Sequence, residues 1–212
     1  MNKVAATSED KREDILLGAF EEFCENGFLA ASMDRISKRA GASKRTVYRY
    51  FESKEQLFQT LVHRQWTLFA DGMKVSFRPG VEIREQLTDM GRAQARLFMS
   101  PDIMAANKML MSEILRDPQI VSEIQNEIDY TASFEQLLKE AAADGLLDLQ
   151  NPRQAAEEFI SLLKGKAFWP VMFGAPLVGA DEMADMIDST VDMMMCRYGN
   201  GSRSRDELTD RT

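Results

Sequence analysis

The side chains best equipped for chemistry form one short run, Lys44-Arg45-Thr46-Val47-Tyr48-Arg49-Tyr50, which interleaves three cations with three hydroxyls around one aliphatic residue. No carboxylate, imidazole or thiol stands among them to act as a base or nucleophile. They are hydrogen-bond donors and point charges, which is what phosphate oxygens and the edges of bases require. The run belongs to a wider cationic stretch. Residues 35–54 hold Arg35, Lys38, Arg39, Lys44, Arg45, Arg49 and Lys54 against Glu52 alone, a local charge of +6 in a chain of net charge −8. Residues 61–212 carry 16 basic and 24 acidic side chains. A compact cationic patch on an anionic body is a footprint for a polyanion, and the acidic remainder discourages indiscriminate adhesion. The same run could also be a solvated helix face, as most charge runs are.

Other chemistries are poorly served. His63 is the sole histidine, so a zinc or iron site lacks partners, and no metal or cofactor is predicted. Lys164-Gly165-Lys166 lacks the glycine and the Ser/Thr of a phosphate loop. There is no nucleophile elbow, CxxC, HExxH or dinucleotide loop, and the carboxylates are scattered; no enzyme is expected. Cys24 and Cys196 read as reduced thiols. The longest uncharged run, residues 168–180, is too short for a bilayer and is broken by two prolines and two glycines. The first 14 residues show no apolar signal-peptide core, so a soluble cytoplasmic protein is expected.

The elements that must position the cationic run are helical. Two-residue alternation is absent and no long period repeats, so the fold class predicted is all-α, with about nine helices. A first helix from Thr7 or Ser8 carries Ile15, Leu16, Ala19, Phe20 and Phe23 on one stripe and stops at Asn26-Gly27. Ser32 caps a short helix, Met33 to Ala40; Gly41 makes the turn; Ser43 caps a third helix, Lys44 to Phe51. Ser53 to Gln56 form a capping box opening a long fourth helix. Two short helices about one tight turn are a helix-turn-helix, in which the second helix enters the major groove. Ile36, Ala40 and Val47 are its inward positions. Further on, Ser100-Pro101, Asp117-Pro118 and Asn151-Pro152 mark helix starts. One long helix is read from Asp117 across apolar positions 120 to 141 to Gly145, and a last one from about Asp181 to Tyr198. Residues 1–52 are assigned to a DNA-binding domain, 53–198 to a larger bundle, and 199–212 to a disordered tail.

Residues 13–62 resemble the DNA-binding domain of the TetR/AcrR family. The landmarks are Ile15, Phe20 to Phe23, Gly27-Phe28, Ile36, Arg39-Ala40-Gly41, Ser43, Thr46, Tyr48, Tyr50-Phe51 and Ser53 to Leu57. Ser37 departs from the family's usual alanine and reads as a helix-surface change; the order Asp34-Arg35 leaves open which of the two faces DNA. The resemblance implies that Ser32, Tyr50 and Lys54 hold phosphates and that Lys44, Arg45, Thr46, Tyr48 and Arg49 face the groove; Arg35 and Ser43 complete the predicted DNA-binding set. Residues 151–165, with the preceding DGLLDLQ, are similar to the C-terminal domain of the AefR-like branch. That similarity implies a homodimer built by helices near 152–172 and 181–198, and a ligand pocket within the middle helices. Two recognition helices about 34 Å apart would then read a palindromic double-stranded operator. The function expected is a transcriptional regulator, a repressor released by a small apolar or amphipathic ligand.

Methionines and aromatics are the candidates for lining that pocket: Trp66, Phe69, Met90, Phe98, Met104, Met111, Phe134, Phe168 and Trp169. Any one of them would serve as well in ordinary core or dimer packing. Two other readings stay open on sequence alone, a DNA-binding architectural dimer without a ligand and an acidic helical protein-interaction module.

Overall fold

A computed structural model describes residues 8–116 and 129–200. Among them are nine helices and no strand. α1 runs Ser8–Ala30, α2 Met33–Arg39, α3 Lys44–Tyr50, α4 Lys54–Gly72, α5 Ile83–Phe98, α6 Pro101–Arg116 and α7 Ala132–Ala143. α8 runs Pro152–Leu163, passes through a π-turn at Lys164–Phe168, and continues as Trp169–Met172; α9 is Ala180–Tyr198. The helices fall into two compact units. Met1–Phe69 with Ser100–Asp129 make the first, and Ala70–Met99 with Tyr130–Thr212 the second. The position 52/53, read from sequence as a domain boundary, lies inside the first unit, which also takes in α6.

The caps explain why the elements begin where they do. Ser32 Oγ accepts from Arg35 N at 3.3 Å, Ser43 Oγ from Thr46 N at 3.0 Å, Ser53 Oγ from Gln56 N at 3.1 Å and Asn151 Oδ1 from Gln154 N at 3.1 Å. Each satisfies an N–H that the first helical turn leaves unpaired, worth about 1 kcal/mol. The reciprocal arm of the capping box lands one residue early, with Gln56 Oε1 accepting from Glu52 N at 2.7 Å. α1 is broken at Gly27, whose φ of 70° and ψ of 162° are not helical.

In the first unit the inner faces of α1 to α4 and α6 share one core. Ile15, Leu16, Phe23, Ile36, Val47, Leu57, Phe58 and Val62 are essentially inaccessible. Phe23, Phe28 and Phe58 form a triangle of rings with centroids 5.1 to 5.8 Å apart. Each such side chain contributes about 1.5–3 kcal/mol by leaving water. α1 meets α2 closely at Gly18, where a Cβ would lie 2.9 Å from Ala40 N. Glu113 of α6 reaches this unit's first turn, its Oε1 accepting from Phe28 N at 3.2 Å.

The second unit packs α5, α7, α8 and α9. Phe134 of α7 meets Phe159 of α8 edge-on at 5.7 Å. Gln94 of α5 donates to the Ile160 carbonyl at 3.0 Å, and Gly91 admits Ile187 of α9.

Two expectations are corrected. The long helix read across positions 120–141 is interrupted. Its residues 117–128 lie outside the described residues, but Asp129 to Thr131 are not helical, 130–131 forming a turn, and α7 starts at Ala132. Asp129 and Tyr130 are exposed there, and of that apolar face α7 carries only positions 134, 138 and 141. Ser37 is not on the surface. It is buried, and its hydroxyl donates to the Met33 carbonyl at 2.7 Å, the bond that lets a serine replace alanine inside. Of the expected disordered tail, 199–212, the first two residues are held in place, Gly199 N donating to the Met195 carbonyl at 2.9 Å and Asn200 Nδ2 to the Gly145 carbonyl at 2.7 Å, and the rest lies outside the described residues.

Candidate nucleic-acid interface

The helix-turn-helix is held from beneath. Val47, the single aliphatic residue of α3, is completely buried, and Ile36 and Ala40 of α2 pack beside it. The turn closes on itself through Gly41 N to Lys38 O at 3.2 Å and Ala42 N to Ser37 O at 3.0 Å. Gly41 takes φ of 54°, the left-handed region that a β-branched residue would enter only under strain. Lys11, on α1, donates its ammonium to the carbonyls of Ala40 and Gly41 at 3.1 Å each and to Asp14 at 3.2 Å. The C-terminus of α2 is thereby tied to α1 by a charged clasp.

A second clasp lies one face along. Glu22 of α1 is inaccessible, yet its carboxylate accepts from Arg35 Nε at 2.5 Å and from Arg39 Nε at 3.0 Å. Burial opposes its ionisation, but the two hydrogen bonds and charges of the arginines prevail and hold the carboxyl below the usual 4.5. Arg35 also donates to the Ala30 carbonyl, and Arg39 to Glu25. The hydrogen bonds that Arg39 donates to Glu25, and then to Glu22, raise its pKa.

With Val47 inward, α3 turns the opposite face outward. Lys44, Arg45, Tyr48 and Arg49 are exposed, at spacings of one and four residues that place them together on one helical face. Arg45 has no partner among the described residues. Lys44 pairs with Asp34 at 2.7 Å across an open surface, and that hydrogen bond raises its pKa. The Arg49 guanidinium lies 5.1 Å above the Tyr50 ring. Thr46 is half-buried and shares its hydroxyl with Ser43 at 2.7 Å. Tyr50 is half-buried against the core.

Several predicted contacts already have partners within the chain. The hydroxyls of Ser32 and Ser43 serve as helix caps. The Lys54 ammonium lies 4.7 Å from the Phe28 ring centroid and donates to the carbonyls of Phe28, Leu29 and Ala31 at 2.9, 3.0 and 3.4 Å, acting as a strut under the end of α1. Arg35 leans on Glu22 as described. Sequence reasoning missed Lys11 and Glu22 and did not single out Lys38, which is exposed on α2. A signal was available: Lys11, Gly18, Glu22 and Glu25 are spaced 7, 4 and 3 apart, a polar stripe with one small residue on an otherwise amphipathic helix.

Of the nine pocket candidates, Trp66, Phe69, Met104 and Met111 belong to the first unit and the other five to the second. Met90, Phe98, Met104, Phe134 and Phe168 are buried; Trp66, Phe69 and Met111 are half-buried; Trp169 is exposed. Phe98, Phe168 and Trp169 do come together, with centroids 5.4 and 5.1 Å apart. The Lys164 ammonium lies over Tyr130, Phe168 and Trp169 at 5.6, 5.2 and 5.9 Å. Among the described residues no cluster of His, Cys, Asp and Glu could hold a metal, and no helix is long and apolar enough to cross a membrane.

Comparison with known proteins meets this geometry at both ends of the chain. The model of the tetR family of bacterial regulatory proteins matches residues 15–61, and that of the C-terminal domain of AefR-like transcriptional repressors matches residues 85–200. The crystal structure of a TetR family transcriptional regulator from Pseudomonas syringae pv. tomato str. DC3000 is similar at a TM-score of 0.79 and 32% identity, covering 92% of this chain and all of that one. The flavonoid-responsive regulator FrrA is similar at a TM-score of 0.75 and 26% identity, covering 91% of this chain and 99% of FrrA. The transcriptional activator FasR of Mycolicibacterium smegmatis is 26% identical over 144 residues, 66% of this chain but only 59% of FasR, less than two thirds of its length. With a helix-turn-helix held at Val47 and a cationic face turned outward, the chain belongs to the tetR family of bacterial regulatory proteins, and is a DNA-binding transcriptional regulator with an AefR-like C-terminal domain and not an enzyme.

Proposed function

We propose that the protein is a homodimeric cytoplasmic repressor that binds a palindromic operator and leaves it when a small apolar or amphipathic molecule binds. The observation that carries the reading is the exposed face of α3, where Arg45, Tyr48 and Arg49 stand out from a helix anchored by fully buried Val47. Lys44, Arg45, Thr46, Tyr48 and Arg49 address the groove, and Ser32 and Tyr50 flank it at the phosphates. Arg35 and Lys54 position the two helices. Dimerisation through α8 and α9 is supported by the apolar side chains those helices and their connection leave uncovered, Trp169, Phe173, Leu177 and Met193. Repression and ligand response rest on likeness: the C-terminal match is to repressors, and FrrA is named for its response to flavonoids. The name of FasR favours activation instead.

The test is fluorescence anisotropy with DNA from upstream of the protein's own gene, titrated over salt. With about four phosphate-neutralising groups per subunit and about eight per dimer, the log–log salt slope is near −7, from about −0.9 per phosphate. Arg45→Ala and Tyr48→Ala abolish specific binding and leave helicity unchanged. A slope near zero, or wild-type footprints from both variants, refutes the reading. A reporter that falls on deletion of the gene identifies an activator.

A further inference from the structure

The first unit contains a partly open cavity of about 370 Å³ between α1, α4 and α6. None of the pocket residues expected from sequence lines it. Its size falls at the lower end of the range of ligand pockets. Leu17, Phe20, Leu61, Leu68, Ile103 and Ala106 give it an apolar wall, and Leu17 and Leu68 remain largely exposed at its edge.

The polar groups around that wall are nearly all acceptors. Glu13, Asp14 and Asp102 stand against one cation, Arg64, which is paired to Glu13. Asp14 shares its charge with Lys11 at 3.2 Å, and Asp102 has no partner among the described residues. Gln65 is 6% exposed; its amide nitrogen donates weakly to the Ile103 carbonyl at 3.4 Å, and its side-chain oxygen accepts from no described residue. An apolar cavity edged by one unpaired carboxylate, Asp102, a second, Asp14, held only by an exposed pair to Lys11, and an amide oxygen is complementary to one kind of small molecule, an apolar body with a protonated amine.

We infer that the cavity between α1, α4 and α6 is a binding site for amphipathic cations, lying inside the DNA-binding unit and acting on the helix-turn-helix through α1. The path is short. Asp14, at the cavity, holds Lys11, and Lys11 holds the carbonyls of Ala40 and Gly41 at the turn before α3. An ammonium group drawn to Asp14 competes with Lys11 and loosens that clasp. The effect on DNA rests on the ligand response proposed above; the binding itself does not.

A head-group series separates the two. The full-length protein is titrated by calorimetry with n-decylammonium, n-decanol and decanoate, each below its micelle concentration. Decylammonium binds at least about tenfold more tightly than decanol and decanoate binds most weakly. Replacing both carboxylates, Asp14→Asn with Asp102→Asn, brings decylammonium to within about threefold of decanol and leaves decanol unchanged, and Ala106→Phe blocks both. Binding that ignores the head group, or a doubly substituted protein that still prefers decylammonium tenfold, overturns the assignment. Should decylammonium bind as described and operator DNA stay bound in the anisotropy assay, the site stands and its coupling to α3 is refuted.

Discussion

Glu22→Gln removes a buried negative charge that two arginines share while changing almost nothing in volume. The wild-type carboxylate, at 0% exposure, accepts from Arg35 and Arg39 at once. Glutamine can accept from one and must turn its amide donors toward the other. The loss is one charge-assisted hydrogen bond, about 1.5–3 kcal/mol, plus a donor facing a donor. Stripping a partner from a fully buried ion pair costs about 3–5 kcal/mol. Here the arginines keep access to water, with 46% and 25% of their side chains exposed, and Arg39 retains Glu25, so the lower figure governs. A destabilisation of about 2 kcal/mol follows, or a fall in Tm of about 4–8 °C for a chain of this size.

The pH dependence gives the sharper test. The folded-state pKa of Glu22 is below 4.5, so its contribution is present above that value and disappears as the pH falls through the folded pKa. Urea denaturation followed by circular dichroism at a series of pH values measures it. The gap between wild type and variant is about 2 kcal/mol at neutral pH and narrows in acid. A gap below about 0.5 kcal/mol at pH 7, or one that does not change on acidification, removes Glu22 from the account of how α2 is held.

Four further outcomes are expected. Gly18→Ala places a methyl 2.9 Å from Ala40 N and displaces α2, costing about 1–3 kcal/mol in chemical denaturation and weakening DNA binding together with it. Lys38→Ala, at an exposed cation of α2, lowers the magnitude of the salt slope by about 0.9 per subunit, read from anisotropy at several salt concentrations. Lys54→Met lowers stability by about 1–3 kcal/mol through three lost donations to carbonyls and leaves the salt slope unchanged, whereas a phosphate-binding lysine would shift it. Burial pushes Lys164 below the usual lysine value of 10.5, so the folded chain penalises its charge; wild-type stability relative to Lys164→Met therefore rises as the pH climbs from the folded pKa toward 10.5, in urea titrations across that interval.

The short-range chemistry of the fold was legible and its long-range chemistry was not. Ser32, Gly41, Ser43, Ser53 and Asn151 act on neighbours within a few residues, so their identity alone located the starts of α2, α3, α4 and α8. Val47 was readable as inward because it is the one aliphatic residue among cations and hydroxyls. Contacts between distant residues left no such mark. Nothing local in Lys54 distinguishes a phosphate contact from a strut to carbonyls 23 to 26 residues away. Ser37 was misread because a buried serine and an exposed one look alike until the carbonyl of Met33 is seen to accept from it. The α1–α4–α6 cavity joins α6 to helices 30 or more residues earlier in sequence, and its acidic edge is assembled from Glu13, Asp14 and Asp102, a grouping no periodicity reveals.

The cations of residues 35–54 divide by what they touch. Arg35 and Arg39 neutralise Glu22 and Glu25, and Lys54 serves three carbonyls. Those three create the surface and are not spent on it. Lys38, Arg45 and Arg49 remain, all exposed, with Lys44 held only by an open pair to Asp34, which water screens and a phosphate can replace. Four mobile charges per subunit is the number that a salt slope near −7 for the dimer requires, while all seven would give about −13. The measured slope therefore distinguishes a run that is half scaffold from one that is wholly contact. A value near −13 would mean that DNA draws Arg35, Arg39 and Lys54 off their internal partners, and that α2 is held by the nucleic acid instead of by α1.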